Sequence, residues 1–290
     1  MSIYKTEIPE IYTLFEPEEV SLPLLVDSPH SGRIYPSDFD YQCDFLELQE
    51  TEDNHLDILL QDVPAYGATL LQCEFPRCYI DVNRAVDDID DILLSDTPDV
   101  AIHPTLRSKA GYGLVRRLAK PGIPIYDHLL EMDEINHRIN KYYLNYHKVL
   151  GDKINALYYN YGQSWYLNMH SMPATSAHTE DGHPVDFVLG DLHGKTCRSD
   201  FKEALKEYLE TQGFRVSLND PYKGVELIER HGQPASGRNA LQFEINKNLY
   251  WNENTQEFLP QSRKLRTVLN HMFEFISDFI EKELVLKAAD

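Results

Sequence analysis

Leu22-Pro23-Leu24-Leu25-Val26-Asp27-Ser28-Pro29-His30-Ser31-Gly32 is a short apolar run that breaks into a Pro/Ser/Gly turn carrying a histidine. A run this brief, bounded by turn residues, predicts a buried strand rather than a helix. The histidine behind it then stands at the mouth of a sheet, where α/β proteins keep their binding and catalytic groups. The pattern recurs in Trp165-Tyr166-Leu167-Asn168-Met169, which runs into His170-Ser171-Met172-Pro173. Two strand-end His-Ser pairs so far apart predict one site assembled by folding. A metal ion is the simplest group to set between two imidazoles.

Working outward, short apolar runs predict strands at 22–27, 68–73, 79–83, 165–169, 186–189, 214–217 and 240–245. Apolar residues recurring at three and four positions predict helices over 51–63, 131–159, 200–211 and 263–286. In the last, Leu265, Val268, Leu269, Met272, Phe273 and Ile276 fall on one face. The stretch 86–124 is acidic at first (Asp87-Asp88-Ile89-Asp90-Asp91), then punctuated by Gly and Pro, and reads as loop. This alternation of strands and helices predicts an α/β fold, a three-layer α/β/α sandwich with a mixed central sheet. No internal repeat or low-complexity linker divides residues 1–290, so a single domain is expected.

Composition narrows the function. With 27 basic against 47 acidic residues the net charge is -20, which repels nucleic acid and anionic membrane. A small anion is not excluded, because a local arginine pair overrides a diffuse field screened by salt. No apolar run approaches the roughly 18 residues of a membrane span, and the first residues lack the basic and apolar regions of a signal peptide. Four cysteines without CxxC spacing read as reduced thiols, so a cytoplasmic protein is expected. Nothing in the residues excludes a homo-oligomer.

Four groups carry the chemistry. His30 and His170 are joined by Glu52-Asp53, at the start of a predicted helix, as a source of an oxygen ligand. Catalytic zinc takes three protein ligands and keeps one position open, and a His/carboxylate/His set fits that count, with Glu52 and Asp53 both candidates. In Arg77-Cys78-Tyr79-Ile80-Asp81-Val82-Asn83-Arg84, two arginines bracket an apolar core, and Arg84 beside Asn83 suits bidentate capture of a carboxylate. Glu244, inside the apolar Ala240-Leu241-Gln242-Phe243-Glu244-Ile245, is costly to bury unless it faces a site. Desolvation would raise its pKa toward the range of a general base. Ser31 and Ser171 lack the GxSxG elbow of a serine hydrolase.

These blocks, in their order and spacing, resemble the N-formylglutamate amidohydrolase family over nearly the whole chain. The matching stretches are Pro29-His30-Ser31-Gly32-Arg33, Glu52-Asp53 with Asp57, Phe75-Pro76-Arg77 through Arg84, Tyr142-Tyr143 with Tyr146-His147, His170-Ser171-Met172-Pro173, Val188-Leu189-Gly190-Asp191, Pro221-Tyr222-Lys223-Gly224, and Ala240-Leu241-Gln242 with Glu244-Ile245-Asn246-Lys247. The resemblance implies a phosphorylase/hydrolase-like fold related to zinc carboxypeptidases. It implies one Zn2+ ion on His30, Asp53 and His170, with Glu244 as general base and Arg77 polarising the scissile carbonyl. It also implies Asn83, Arg84 and Arg33 on the substrate. The implied reaction is hydrolysis of N-formyl-L-glutamate, a step of histidine degradation. A deacylase or carboxypeptidase-like enzyme for another N-acyl amino acid is the nearest rival, and an inactive binding protein a more distant one. Two departures, Gly224-Val225 and Arg230-His231-Gly232, fall in the segment expected to shape the side-chain pocket.

Overall fold

The computed structural model describes residues 2–18, 22–98 and 100–289. Among them, eight strands form one mixed sheet: β1 (Ile3–Ile8), β2 (Tyr12–Pro17), β3 (Leu24–Ser28), β4 (Thr69–Cys73), β5 (Ser164–Met172), β6 (Phe187–Gly190), β7 (Val216–Leu218) and β8 (Arg238–Asn246). Their spatial order is β1-β2-β4-β3-β5-β8-β6-β7. The centre, β4-β3-β5-β8, is parallel. Parallel strands buried on both faces need apolar runs rather than alternation, which is what β3 and β5 supply.

Successive side chains still go to opposite faces. Leu24, Val26, Trp165, Leu167, Met169, Leu241, Phe243 and Ile245 join one core. It is closed by α3 (Ser199–Thr211) through Phe201, Leu205 and Leu209, and by α5 (Ser262–Ala289) through Leu265, Leu269, Met272, Phe273 and Ile276. Leu25, Tyr166 and Ala240 join the other. That face is covered by the continuous helix α2, which runs through Met132–Arg138, a π turn at Ile139–Tyr143, and Leu144–Tyr161. Three layers follow, as the alternation predicted.

On the α2 face the register builds rows across β3, β5 and β8. Leu25, Tyr166 and Ala240 are aligned, then Asp27, Asn168 and Gln242, then His170 and Glu244. The lowest row packs under the helix, and the upper two are polar and nearly fully buried. Greasy residues seat the sheet; two residues further along the same strands, the same face becomes a site.

Several elements differ from the sequence reading. The segment 79–83 is not a strand. The outer edge of β4 is taken by β2, with Tyr12 opposite Cys73, so no ladder is left for it. It turns instead, Tyr79 N–H donating to Pro76 O at 3.0 Å and Arg84 N–H to Asp81 O at 3.2 Å. The hairpin β1–β2 was not foreseen. The predicted helix 51–63 shrinks to α1 (Leu56–Leu60), because Asp53 N–H donates to His30 O at 2.9 Å and His55 takes a left-handed φ of 54°. His170 lies inside β5, not behind a strand end, so the two His-Ser pairs are not equivalent. The strand predicted at 214–217 is displaced to β7, Val216–Leu218.

Candidate active site

His30 sits in the turn behind β3. Gly32 fixes that turn: a Cβ there would lie 2.2 Å from Phe75 O, so only glycine allows the two backbones to approach so closely. Ile34 N–H closes the contact on Glu74 O at 2.8 Å. The approach brings the histidine loop against the segment that carries Arg77 and Asp81.

His30 Nε2–H donates to Asp81 Oδ1 at 2.7 Å, and Arg77 donates to Asp81 Oδ2 at 2.8 Å. Burial, aided by the Arg77 charge, pushes His30 down to about 3, so its imidazole is neutral. With the proton on Nε2, Nδ1 keeps a lone pair. That atom is buried and has no hydrogen-bond partner among the described residues. It faces Asp53 Oδ2 at 3.7 Å.

His170 is likewise anchored at its outer nitrogen, but its inner one has a partner. Its Nε2–H donates to Asn168 Oδ1 at 2.7 Å, and its Nδ1 lies 3.1 Å from Asp53 Oδ2. Asn168 is itself held by donating to Asp27 Oδ1 at 2.8 Å. Burial opposes a charge on His170, but the Asp53 hydrogen bond and the Glu244 carboxylate raise its pKa. Asp53 is fully buried, which would raise it, yet the hydrogen bond and charge of His170 hold it below the usual carboxylate range. Ligand atoms of His30, Asp53 and His170 all lie within 4.8 Å of one another. An orphaned Nδ1, two outer nitrogens fixed by hydrogen bonds and one buried carboxylate are what a divalent cation requires, so the residues fit such an ion. Glu52 turns away: its carboxylate accepts from Tyr35 Oη at 2.5 Å, and burial pushes it up to about 7.

Glu244 stands beside His170 across the β5–β8 ladder and accepts from Gln242 Nε2 at 2.9 Å. Burial raises it to about 7, against the pull of His170. His30, Glu52, Asp53, His170, Gln242 and Glu244 border a cavity of about 1500 Å³, which Arg77, Asn83, Arg84, Arg107, Arg116 and Tyr222 also line. Arg77 reaches toward Asp53 Oδ1 at 3.9 Å as well as Asp81. Arg84 is buried and makes no ion pair among the described residues; its carbonyl is pinned by Tyr143 Oη–H at 2.8 Å.

Asn83 borders the cavity, but both ends of its amide are engaged. Oδ1 accepts from Leu227 N–H, in the first turn of α4 (Glu226–His231), at 3.0 Å, while Nδ2 lies 3.1 Å from His170 Nε2 and donates to Asn168 Oδ1 at 3.4 Å. Arg33 is not brought to the site. It is exposed, off the cavity wall, and bidentate to Asp57 at 2.9 and 3.0 Å. Sequence reasoning gave no role to Asp81, Asn168, Gln242, Arg116 or Lys247. Asn168 and Gln242 had a signal, a polar residue two positions before His170 and Glu244 in otherwise apolar strands. Lys247 Nζ donates to Glu52 O and to Asn54 Oδ1, both at 2.7 Å, and so clamps the loop that carries Asp53.

Comparison with known proteins gives a consistent picture. Residues 22–251 match the N-formylglutamate amidohydrolase family. The crystal structure of N-formylglutamate amidohydrolase from Ralstonia eutropha JMP134 superposes with a TM-score of 0.91 at 39% identity, covering 94% of this chain and 99% of that one. N-formylglutamate deformylase of Pseudomonas putida is 26% identical over 236 residues, 80% of this chain and 83% of that protein. A gene product of Agrobacterium tumefaciens shares the fold, with a TM-score of 0.61 at 17% identity over 92% of this chain and 96% of that one.

Proposed function

The chain belongs to the N-formylglutamate amidohydrolase family and is thereby a hydrolase of an amide bond; we propose that it cleaves N-formyl-L-glutamate to formate and L-glutamate at a site holding one zinc ion. The observation that carries the reading is the convergence on one cavity wall of the His30-Asp53-His170 trio, Glu244 and guanidinium groups without carboxylate partners. His30, Asp53 and His170 would hold the ion. A bound divalent cation supplies Lewis acidity and brings the pKa of water down toward about 7.

The remaining work belongs to the side chains. Arg84, buried without a counter-charge, receives the substrate α-carboxylate and fixes the amide against the metal trio. Asn83 supports that position from behind through its bonds to Leu227 and Asn168. Glu244, poised at about 7, accepts a proton at its carboxylate when water adds to the formyl carbon and returns it to the departing amine. Arg77 aims a cationic donor at the developing oxyanion. One such preorganised donor is commonly worth about 3–4 kcal/mol.

Zinc as the ion, a cytoplasmic setting and a role in histidine degradation belong to the same proposal, supported by the family resemblance. The test is formate release from N-formyl-L-glutamate beside N-acetyl-L-glutamate and a peptide ending in glutamate, with metal content measured on the same sample. Faster release of acetate or of a peptide fragment than of formate would assign the site to the rival deacylase or peptidase reading. Stoichiometric zinc without turnover of any of the three would make the chain a binding protein.

A further inference from the structure

Two buried arginines on the cavity wall, Arg84 and Arg116, have no carboxylate partner among the described residues, although only one is needed for an α-carboxylate. Arg116 comes from the loop between residues 86 and 124 and is 8% exposed. Its Nε is buried without a hydrogen-bond partner, and no carboxylate lies within ion-pairing distance of its guanidinium among the described residues. The same holds for Arg84. Arg107, exposed on the same wall, also makes no ion pair among the described residues. By contrast, Arg77 is neutralised by Asp81 and Arg33 by Asp57.

In a chain of net charge -20, carboxylates are abundant, so the unpaired arginines are not short of partners for want of composition. A buried guanidinium without a counter-charge is strongly unfavourable unless an anion completes it. Burial and the neighbouring Arg77 already press Arg116 down to about 9. Its side chain also lies over the Tyr112 ring, 5.6 Å from guanidinium carbon to centroid, a cation–π contact.

We propose that Arg116, assisted by Arg107, is the specificity-determining residue of this site, seating the side-chain carboxylate of the N-formyl-L-glutamate proposed above. This rests on the amidohydrolase reading above and gives Arg84 and Arg116 separate tasks. Arg84 takes the α-carboxylate, and Arg116 reads the side chain. A monoanionic substrate leaves Arg116 buried and uncompensated, which is the penalty that produces selectivity.

The test compares kcat/KM for N-formyl-L-glutamate with that for N-formyl-L-glutamine, which differ only by carboxylate against amide. The metal-loaded wild-type chain should favour the acid, and in Arg116→Gln the preference should collapse by about 100-fold or more. Equal losses on both substrates, with the ratio intact, would overturn the assignment. If Arg116→Gln does not fold, Arg116→Lys keeps the charge without the fork. It should lower the ratio by roughly tenfold, and an unchanged ratio there refutes the seat. Calorimetric binding of glutarate against butyrate reads the seat without turnover. Preference for glutarate in wild type that is lost in the variant, with no N-formyl substrate cleaved, would keep the seat and discard the reaction. Turnover with no glutarate preference would do the reverse.

Discussion

Replacing Asp27 by Asn should remove a pH dependence from the stability of this protein, with a size set by the site's second row. Asp27 is wholly buried in β3, accepting from Asn168 Nδ2 at 2.8 Å and from Tyr146 Oη at 2.9 Å. Burial raises its carboxyl from 3.8 to about 6, against the Asn168 hydrogen bond and the His170 charge. Below pH 3.8 the group is protonated in both the folded and unfolded chain. Between 3.8 and about 6 the unfolded chain releases a proton that the folded one retains, so stability falls as pH rises through this window and the loss is complete above it. At about 1.4 kcal/mol per pH unit the whole loss is roughly 3 kcal/mol, of which about 2 kcal/mol falls between pH 4.5 and 7.5. Urea unfolding of wild type and Asp27→Asn, both in chelator, measures it. The difference, wild type minus variant, should drop by about 2 kcal/mol across that range with unchanged m-values. A flat difference, or one that grows with pH, would refute the linkage. Any constant offset from altered hydrogen bonds leaves the slope untouched.

Glu244→Gln keeps the His30-Asp53-His170 trio and removes the proton acceptor. Metal content should stay stoichiometric while kcat falls about 10²–10⁴-fold, and near-normal turnover would remove Glu244 from that role. Asp81→Asn leaves His30 Nε2 with a neutral acceptor in place of a carboxylate 2.7 Å away. Affinity for zinc, measured by competition with a chromogenic chelator, should weaken about 10–100-fold. Lys247→Met strands Glu52 O and Asn54 Oδ1, both bonded at 2.7 Å. Loss of about 1–3 kcal/mol of stability should accompany weaker metal binding, since the same loop presents Asp53. Intact affinity in that variant would show that the loop holds itself. His170→Ala should bind no stoichiometric zinc by elemental analysis, and a full complement would overturn its place among the ligands.

Much of the site was legible because its parts are marked locally. His30 and Glu244 stand out as costly residues beside or within apolar runs, and burial of both is what the structure reports. Choosing between Glu52 and Asp53 was not a local matter. Adjacent carboxylates on an irregular loop point in different directions, and only the bond from Asp53 N–H to His30 O decides which one faces the histidines. Arg33 looks in sequence like part of the His30 block, yet an exposed guanidinium takes the nearest free carboxylate, and Asp57 is there first. The run 79–83 has the apolar content of a strand because it is buried like one. Whether such a run joins a sheet depends on a free edge, and β2 had taken it.

By itself, the sequence determined the alternation of strands and helices, the two-faced burial of β3, β5 and β8, and the residue types able to hold a cation, because each follows from side chains a few positions apart. The tertiary structure alone decided the pairing of His30 with Asp81, the clamp of Lys247 on the Asp53 loop, and the gathering of Arg84, Arg107 and Arg116 on one cavity wall. Those depend on strand register and loop approach across long sequence separations, where hydrogen bonding and charge act over a few ångströms of space and leave no period in the chain.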